Sequence, residues 1–152
     1  MPIKPMRATT AAFYIISTLL STTLCALEDE PMQASGHFEV KLEPVDETPA
    51  AGRMLINKVY FGSLEGVGKG QMLSKRTPGT SVYSAIEEVN GTLNGKSGSF
   101  TLFHTGQMSS EGSNLQIIIV EGSGTDELAN ISGMMTIVQE NGGHQYTIEY
   151  SL

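Results

Sequence analysis

Tryptophan is missing from the chain, cysteine occurs once, and cations are scarce, with 9 Lys and Arg against 16 Asp and Glu. A lone Cys25 excludes an internal disulfide, so the fold must rest on its core and its backbone ladder. The cation deficit gives a formal charge of −7, which excludes the basic surface that tracks a phosphate backbone and disfavours anionic membrane surfaces. No segment reads as a convincing amphipathic helix. Chemical signatures are missing as well. No serine stands in a G-x-S-x-G elbow. His37, His104 and His144 lack ligand-like spacing, so no metal site is expected, and there is no helix–loop–helix calcium loop. The run "GVGKG", Gly66 to Gly70, has glycine where a phosphate loop needs Ser or Thr, and it reads as a turn between strands. No cofactor is expected.

What is present begins with an address. Lys4 and Arg7 precede the uncharged "ATTAAFYIISTLLSTTLCA", the basic head, apolar centre and small-residue exit of a secretory signal. Ser17, Ser21, Thr22 and Thr23 interrupt it, and its apolar core is short for a span of about 20 residues. Leu24 ahead of Cys25 argues against lipid attachment there. The expected organisation is a signal peptide over residues 1–26, a disordered lead-in over 27–34 and one β domain over 35–152. Removal of the signal takes Lys4 and Arg7 with it and moves the charge from −7 to −9. An exported protein, periplasmic or secreted and without stable membrane insertion, is the expectation.

The rest of the chain alternates strand-like runs with turn clusters, eight of them at short, regular intervals. That pattern predicts an all-β fold, a single antiparallel eight-stranded barrel, closed or nearly so. In "HQYTIEYSL" the residues His144, Tyr146, Ile148, Tyr150 and Leu152 share one face. "GTDELANI" has room for a helical turn capped by Thr125. Met54, Met72, Met108, Met134 and Met135 are expected to fill uneven core space.

One hairpin has a register that the sequence alone specifies. Asn94-Gly95 is a strong signal for a two-residue type I′ turn, which pairs Leu93 with Lys96, Val89 with Phe100, Glu87 with Leu102 and Ala85 with His104. Tyr83, Ala85, Glu87, Val89, Phe100, Leu102 and His104 then share the bulkier face, taken as the interior. Glu87 and His104 become inward diagonal neighbours, within reach of long side chains. A buried carboxylate is costly unless paired, so this juxtaposition serves either an internal polar network or a ligand cavity.

Several segments carry a resemblance: "FEVKLEP", "GSLEGVGKGQML", "AIEEVNGTLNGKSGSFTLFHTG", "GSGTDELANISGMMTI" and "HQYTIEYSL", in that order. Together they resemble the domain of unknown function 3224 family, over almost all of the mature chain. The resemblance implies a small closed barrel related to the allene oxide cyclase barrel, an architecture whose cyclases and dirigent-like proteins hold apolar small molecules. "GSGTDELANISG" is similar to their glycine-threonine-glycine segment, with Asp126 where the second glycine usually stands. No activity comes with the family.

Three functional expectations follow. The first is binding of a small apolar molecule in a cavity lined by Tyr83, Glu87, Leu102, His104, Tyr146 and Tyr150. The second is an isomerase or cyclase with Glu87 as general base and His104 as its partner. The third is an oligomerisation module, a homo-oligomer joined through outward apolar residues such as Ile86 and Phe103.

Overall fold

The computed structural model describes residues 30–152. The expected signal peptide, Cys25 included, and the first part of the lead-in lie outside the described residues. Eight strands follow: β1 (Met32–Glu47), β2 (Gly52–Gly62), β3 (Leu64–Thr77), β4 (Thr80–Leu93), β5 (Lys96–Ser109), β6 (Gly112–Ile119), β7 (Ser132–Glu140) and β8 (Gly143–Ser151). Each runs antiparallel to its neighbours in chain order, and β8 returns to β1 to close the barrel. Closure leaves no free sheet edge between first and last strands.

The Asn94-Gly95 turn forms as its chemistry requires, with φ of 47° and 83° at the two residues. The β4–β5 register runs without a shift from Thr80 opposite Ser109 to Leu93 opposite Lys96, and puts Glu87 opposite Leu102 and Ala85 opposite His104. The face parity follows: Ala85, Glu87, Val89, Phe100, Leu102 and His104 are buried, while Val82, Ile86 and Glu88 are exposed.

Two boundaries differ from expectation. β1 starts at Met32 and pairs with β8 from Met32 opposite Tyr150, so the strand takes in the end of the lead-in, and Ala34 is buried. The run Gly66–Gly70 is not a turn. It lies inside β3, and the chain reverses at Ser63 instead. Alternation along β3 turns Gly66, Gly68 and Gly70 inward with Leu64 and Met72, and sends Val67 and Lys69 out.

The two ends of the barrel differ. One is packed solid by Leu64, Leu93, Phe100, Ile131 and Tyr150, and is stoppered by a single turn of 3₁₀ helix (Asp126–Leu128) whose Leu128 is fully buried. Burial of that leucine contributes about 2 kcal/mol. The turn is tied to β5 through Thr125, whose N–H donates to the Ser99 carbonyl at 2.9 Å and whose Oγ1 accepts from the Ser99 N–H at 2.9 Å. Thr125 therefore anchors the stopper and makes no side-chain cap, contrary to expectation. Asp126 sits at φ 52°, a left-handed conformation that suits glycine and that Asp tolerates better than most residues.

The wall has one weak seam. β6 and β7 pair only at Ile118 opposite Met134, then diverge toward the other end around a cleft of about 380 Å³ lined by Asn114–Ile117 and Met134–Thr136. Backbone groups facing that cleft lack the ladder partner their neighbours have. In hydrogen exchange, the seam-facing amides of β6 and β7 should exchange at least a hundredfold faster than those of the β4–β5 hairpin. Equal protection would mean that the seam is closed in solution.

Candidate functional site

The half of the barrel away from the stopper is hollow. A cavity of about 1030 Å³ opens toward the β1–β2 and β3–β4 turns. Its wall is more apolar than polar, with Phe38, Val40, Ile56, Met54, Met72, Ala85, Met108 and Ile137 set among Ser74, Tyr83, Asn114 and Gln139. Charged residues gather at the rim, where Arg53 and Asp46 pair at 2.8 Å. The deep end finishes on Lys58 and His104.

Alternation along each strand delivers the floor. Ile56, Lys58 and Tyr60 of β2 point inward, as do Ala85, Glu87 and Val89 of β4, and Leu102 and His104 of β5. β2 and β4 are not neighbours, since β3 runs between them, and two strand spacings separate them by about 9.5 Å. Their side chains meet because β3 carries no side chain there. Lys58 lies opposite Gly68 and Gly70 lies opposite Glu87, so the glycine run is a bare strip across which β2 and β4 touch.

The contacts across that strip are short. Lys58 Nζ donates to Glu87 Oε2 at 2.6 Å and to the Tyr60 hydroxyl at 3.2 Å, and that hydroxyl donates to Glu87 Oε1 at 2.7 Å. The Lys58 ammonium also stands 4.7 Å from the centre of the Phe38 ring. His104 Nε2 lies 3.1 Å from Glu87 Oε2. It is out of line for a hydrogen bond, which leaves this fully buried nitrogen without an aligned partner. Glu87 is 0% exposed, Lys58 7% and His104 4%.

Burial pushes the Glu87 carboxyl upward, but the His104 imidazole, the Lys58 ammonium and the Tyr60 hydroxyl outweigh it and hold it below the usual carboxylate range. Burial, and then the Glu87 charge, push the Tyr60 hydroxyl well above its ordinary value. Tyr60 therefore stays a proton donor to an ionised Glu87.

Of the six residues expected to line a cavity, Tyr83 and His104 do so. Tyr83 is half-buried, and burial raises its hydroxyl. Glu87 is a layer deeper, behind Lys58 and His104. Leu102, Tyr146 and Tyr150 face inward but belong to the filled half, and do not line the cavity. The Tyr146 hydroxyl accepts from the Leu64 N–H at 2.8 Å, and the Tyr150 hydroxyl accepts from Asn94 Nδ2 at 3.0 Å, so both fasten the stoppered end. The methionines divide: Met135 is in the core, Met54, Met72 and Met108 line the cavity, and Met134 is 53% exposed on the outer wall. His37 stacks on Phe61, and His144 stacks on Phe38 at the cavity wall. Among the described residues no three His, Cys, Asp or Glu side chains are grouped to hold a metal ion.

Lys58 and Tyr60 are the floor residues that sequence reasoning missed. Their signal was the shared parity of Met54, Ile56, Lys58 and Tyr60, but the opposite face of β2 carries Leu55, Val59 and Phe61 and is equally apolar.

These features define a class: a small closed antiparallel barrel, stoppered at one end and hollow at the other, with a buried ion pair at the boundary. The chain belongs to the family described as protein of unknown function (DUF3224), which it matches over residues 34–150. It is similar to a protein of unknown function from the DUF3224 family of Shewanella oneidensis MR-1, known from a crystal structure. The two share 37% sequence identity and a TM-score of 0.77, over 81% of this chain and 98% of that one. No curated protein matches the chain.

Proposed function

We propose that this protein is exported and holds a small, largely apolar molecule in the hollow half of its barrel, with the polar end of that molecule on Lys58 and His104. The observation that carries the reading is the cavity itself. About 1030 Å³ enclosed by a wall more apolar than polar is room for a drug-sized ligand, and Lys58 and His104 at its deep end suit an orienting role. A purely structural network would need no such space beside it.

The isomerase or cyclase reading with Glu87 as base has less support. Both Glu87 oxygens are engaged, the residue is absent from the cavity wall, and its neighbours keep its basicity low. Contact between copies has one observation in its favour. Ile86, Phe103, Ile118 and Met134 are register neighbours across four strands, and three of the four are exposed, which forms an outward apolar row.

Native mass spectrometry of protein purified from its own host tests these readings together. The expected spectrum shows a chain beginning near Leu27 that carries a small molecule released on collisional activation. Ligand-free protein that also fails to bind the neutral apolar dye N-phenyl-1-naphthylamine would overturn the lumen reading. An intact N-terminus would overturn export, and a stable multimer would support the outer row.

A further inference from the structure

We infer that the polar end of the ligand is a hydroxyl, that of an alcohol or phenol, seated between Lys58 and His104; this rests on the lumen-binding reading. The hydrogens on the floor outnumber the oxygens that meet them. An ammonium has three. Two of those on Lys58 go to Glu87 Oε2 and the Tyr60 hydroxyl, and the third meets no oxygen, only the face of Phe38. One donor is therefore left at the deep end of the cavity.

His104 supplies the complementary group. An ionised carboxylate attracts a proton and repels a lone pair, so the ring proton belongs on Nε2, 3.1 Å from Glu87 Oε2, although that N–H is out of line for a hydrogen bond. Nε2 is sealed from solvent on that side, while the residue as a whole borders the cavity. That leaves Nδ1, with its lone pair, as the nitrogen open to the lumen. Glu87 thus acts as a positioning residue that fixes the tautomer, and the ligand meets one donor and one acceptor.

A hydroxyl both accepts and donates, and satisfies both groups at once. A carboxylate would set a lone pair against Nδ1 and bring a second negative charge beside Glu87. A ketone would serve Lys58 alone. A hydrocarbon would desolvate both groups and satisfy neither, a loss that sites built for a hydroxyl turn into strong discrimination.

The test is displacement of the neutral dye N-phenyl-1-naphthylamine by naphthalene, α-naphthol and α-naphthoate, at about pH 8, where free imidazoles are neutral. The expected result is α-naphthol binding at least tenfold more tightly than either of the others, with the advantage lost in His104→Phe while naphthalene binding persists. Equal binding of naphthalene and α-naphthol, or an advantage that survives His104→Phe, overturns the hydroxyl assignment and leaves lumen binding standing. Failure of all three probes and the dye overturns lumen binding itself. Nitrogen NMR of the unsubstituted protein decides independently of whether the variant folds. An unprotonated His104 Nδ1 that shifts on addition of α-naphthol supports the assignment, and a protonated one sinks it.

Discussion

Replacing Glu87 with leucine should cost the barrel about 3–5 kcal/mol of unfolding free energy, and replacing Glu87 and Lys58 together should recover most of that loss. The single change leaves the Lys58 ammonium, 7% exposed, without its anion. The Tyr60 hydroxyl also loses its acceptor at 2.7 Å. Desolvation of a lone ammonium is the dominant penalty, larger than the net contribution of any one hydrogen bond. Lys58→Met should cost a similar amount, because a buried carboxylate then keeps only Tyr60 and the misaligned His104. In the double variant Lys58→Met with Glu87→Leu both charges are gone and the volumes are roughly kept, so the remaining cost is a tyrosine hydroxyl and an imidazole that need new partners, about 1–2 kcal/mol. Urea denaturation of the four proteins measures this cycle. Additive costs would mean that the two side chains do not stabilise each other and that the floor is wetter than its burial indicates. The functional consequence is separate: the double variant should fold but lose any ligand that depends on the Lys58 donor.

Much of this site was legible in the sequence, and the part that was not has a physical reason. A two-residue hairpin is local: Asn94-Gly95 accepts positive φ at both positions, the turn fixes the pairing, and period-2 alternation carries the parity out to Glu87 and His104. Everything fixed by that chain of adjacency was readable. The eight strands were readable too, because each alternates or is bounded by turn residues. Lys58 and Tyr60 were not, because nothing local relates β2 to β4. Their meeting depends on which strand lies between them and on what that strand lacks. Taken locally, "GVGKG" is punctuation, since glycines usually mark turns. Its period of two, in phase with Leu64 and Met72, was the signal that the glycines line one face of a strand. The split between filled and hollow halves was also out of reach. It depends on where the 3₁₀ stopper enters the barrel, a long-range fact that leaves Tyr146 and Tyr150 on the packed side although they share the parity of cavity residues.

The glycine strip is the feature on which the site depends most, and Gly68→Ala should expose that dependence. A glycine in a strand is ordinarily a weakness, and alanine there would be expected to gain a few tenths of a kcal/mol or more. Here the sign reverses. A Cβ at residue 68 would fall on Glu87 Oε1 and press within 3.1 Å of the Tyr60 ring. The carboxylate would have to leave its pocket, and both Lys58 and Tyr60 would lose it. Overpacking alone costs about 1–3 kcal/mol, and the broken pair adds to it, so a loss of about 3 kcal/mol or more is expected. Lys69→Ala, one residue along and pointing to solvent, should change stability by less than about 0.5 kcal/mol. Glu87→Asp supplies the decisive comparison. The shorter acid withdraws from the space that the new methyl needs, so it should harm the unsubstituted protein and do less harm, or even help, in the Gly68→Ala background. Urea denaturation of the two single variants and their combination reads that coupling directly. If Glu87→Asp is equally damaging in both backgrounds, the bare strip on β3 serves the curvature of the wall and not the carboxylate. If the coupling appears, a missing side chain on β3 is what lets β2 and β4 build the charged floor of the lumen between them.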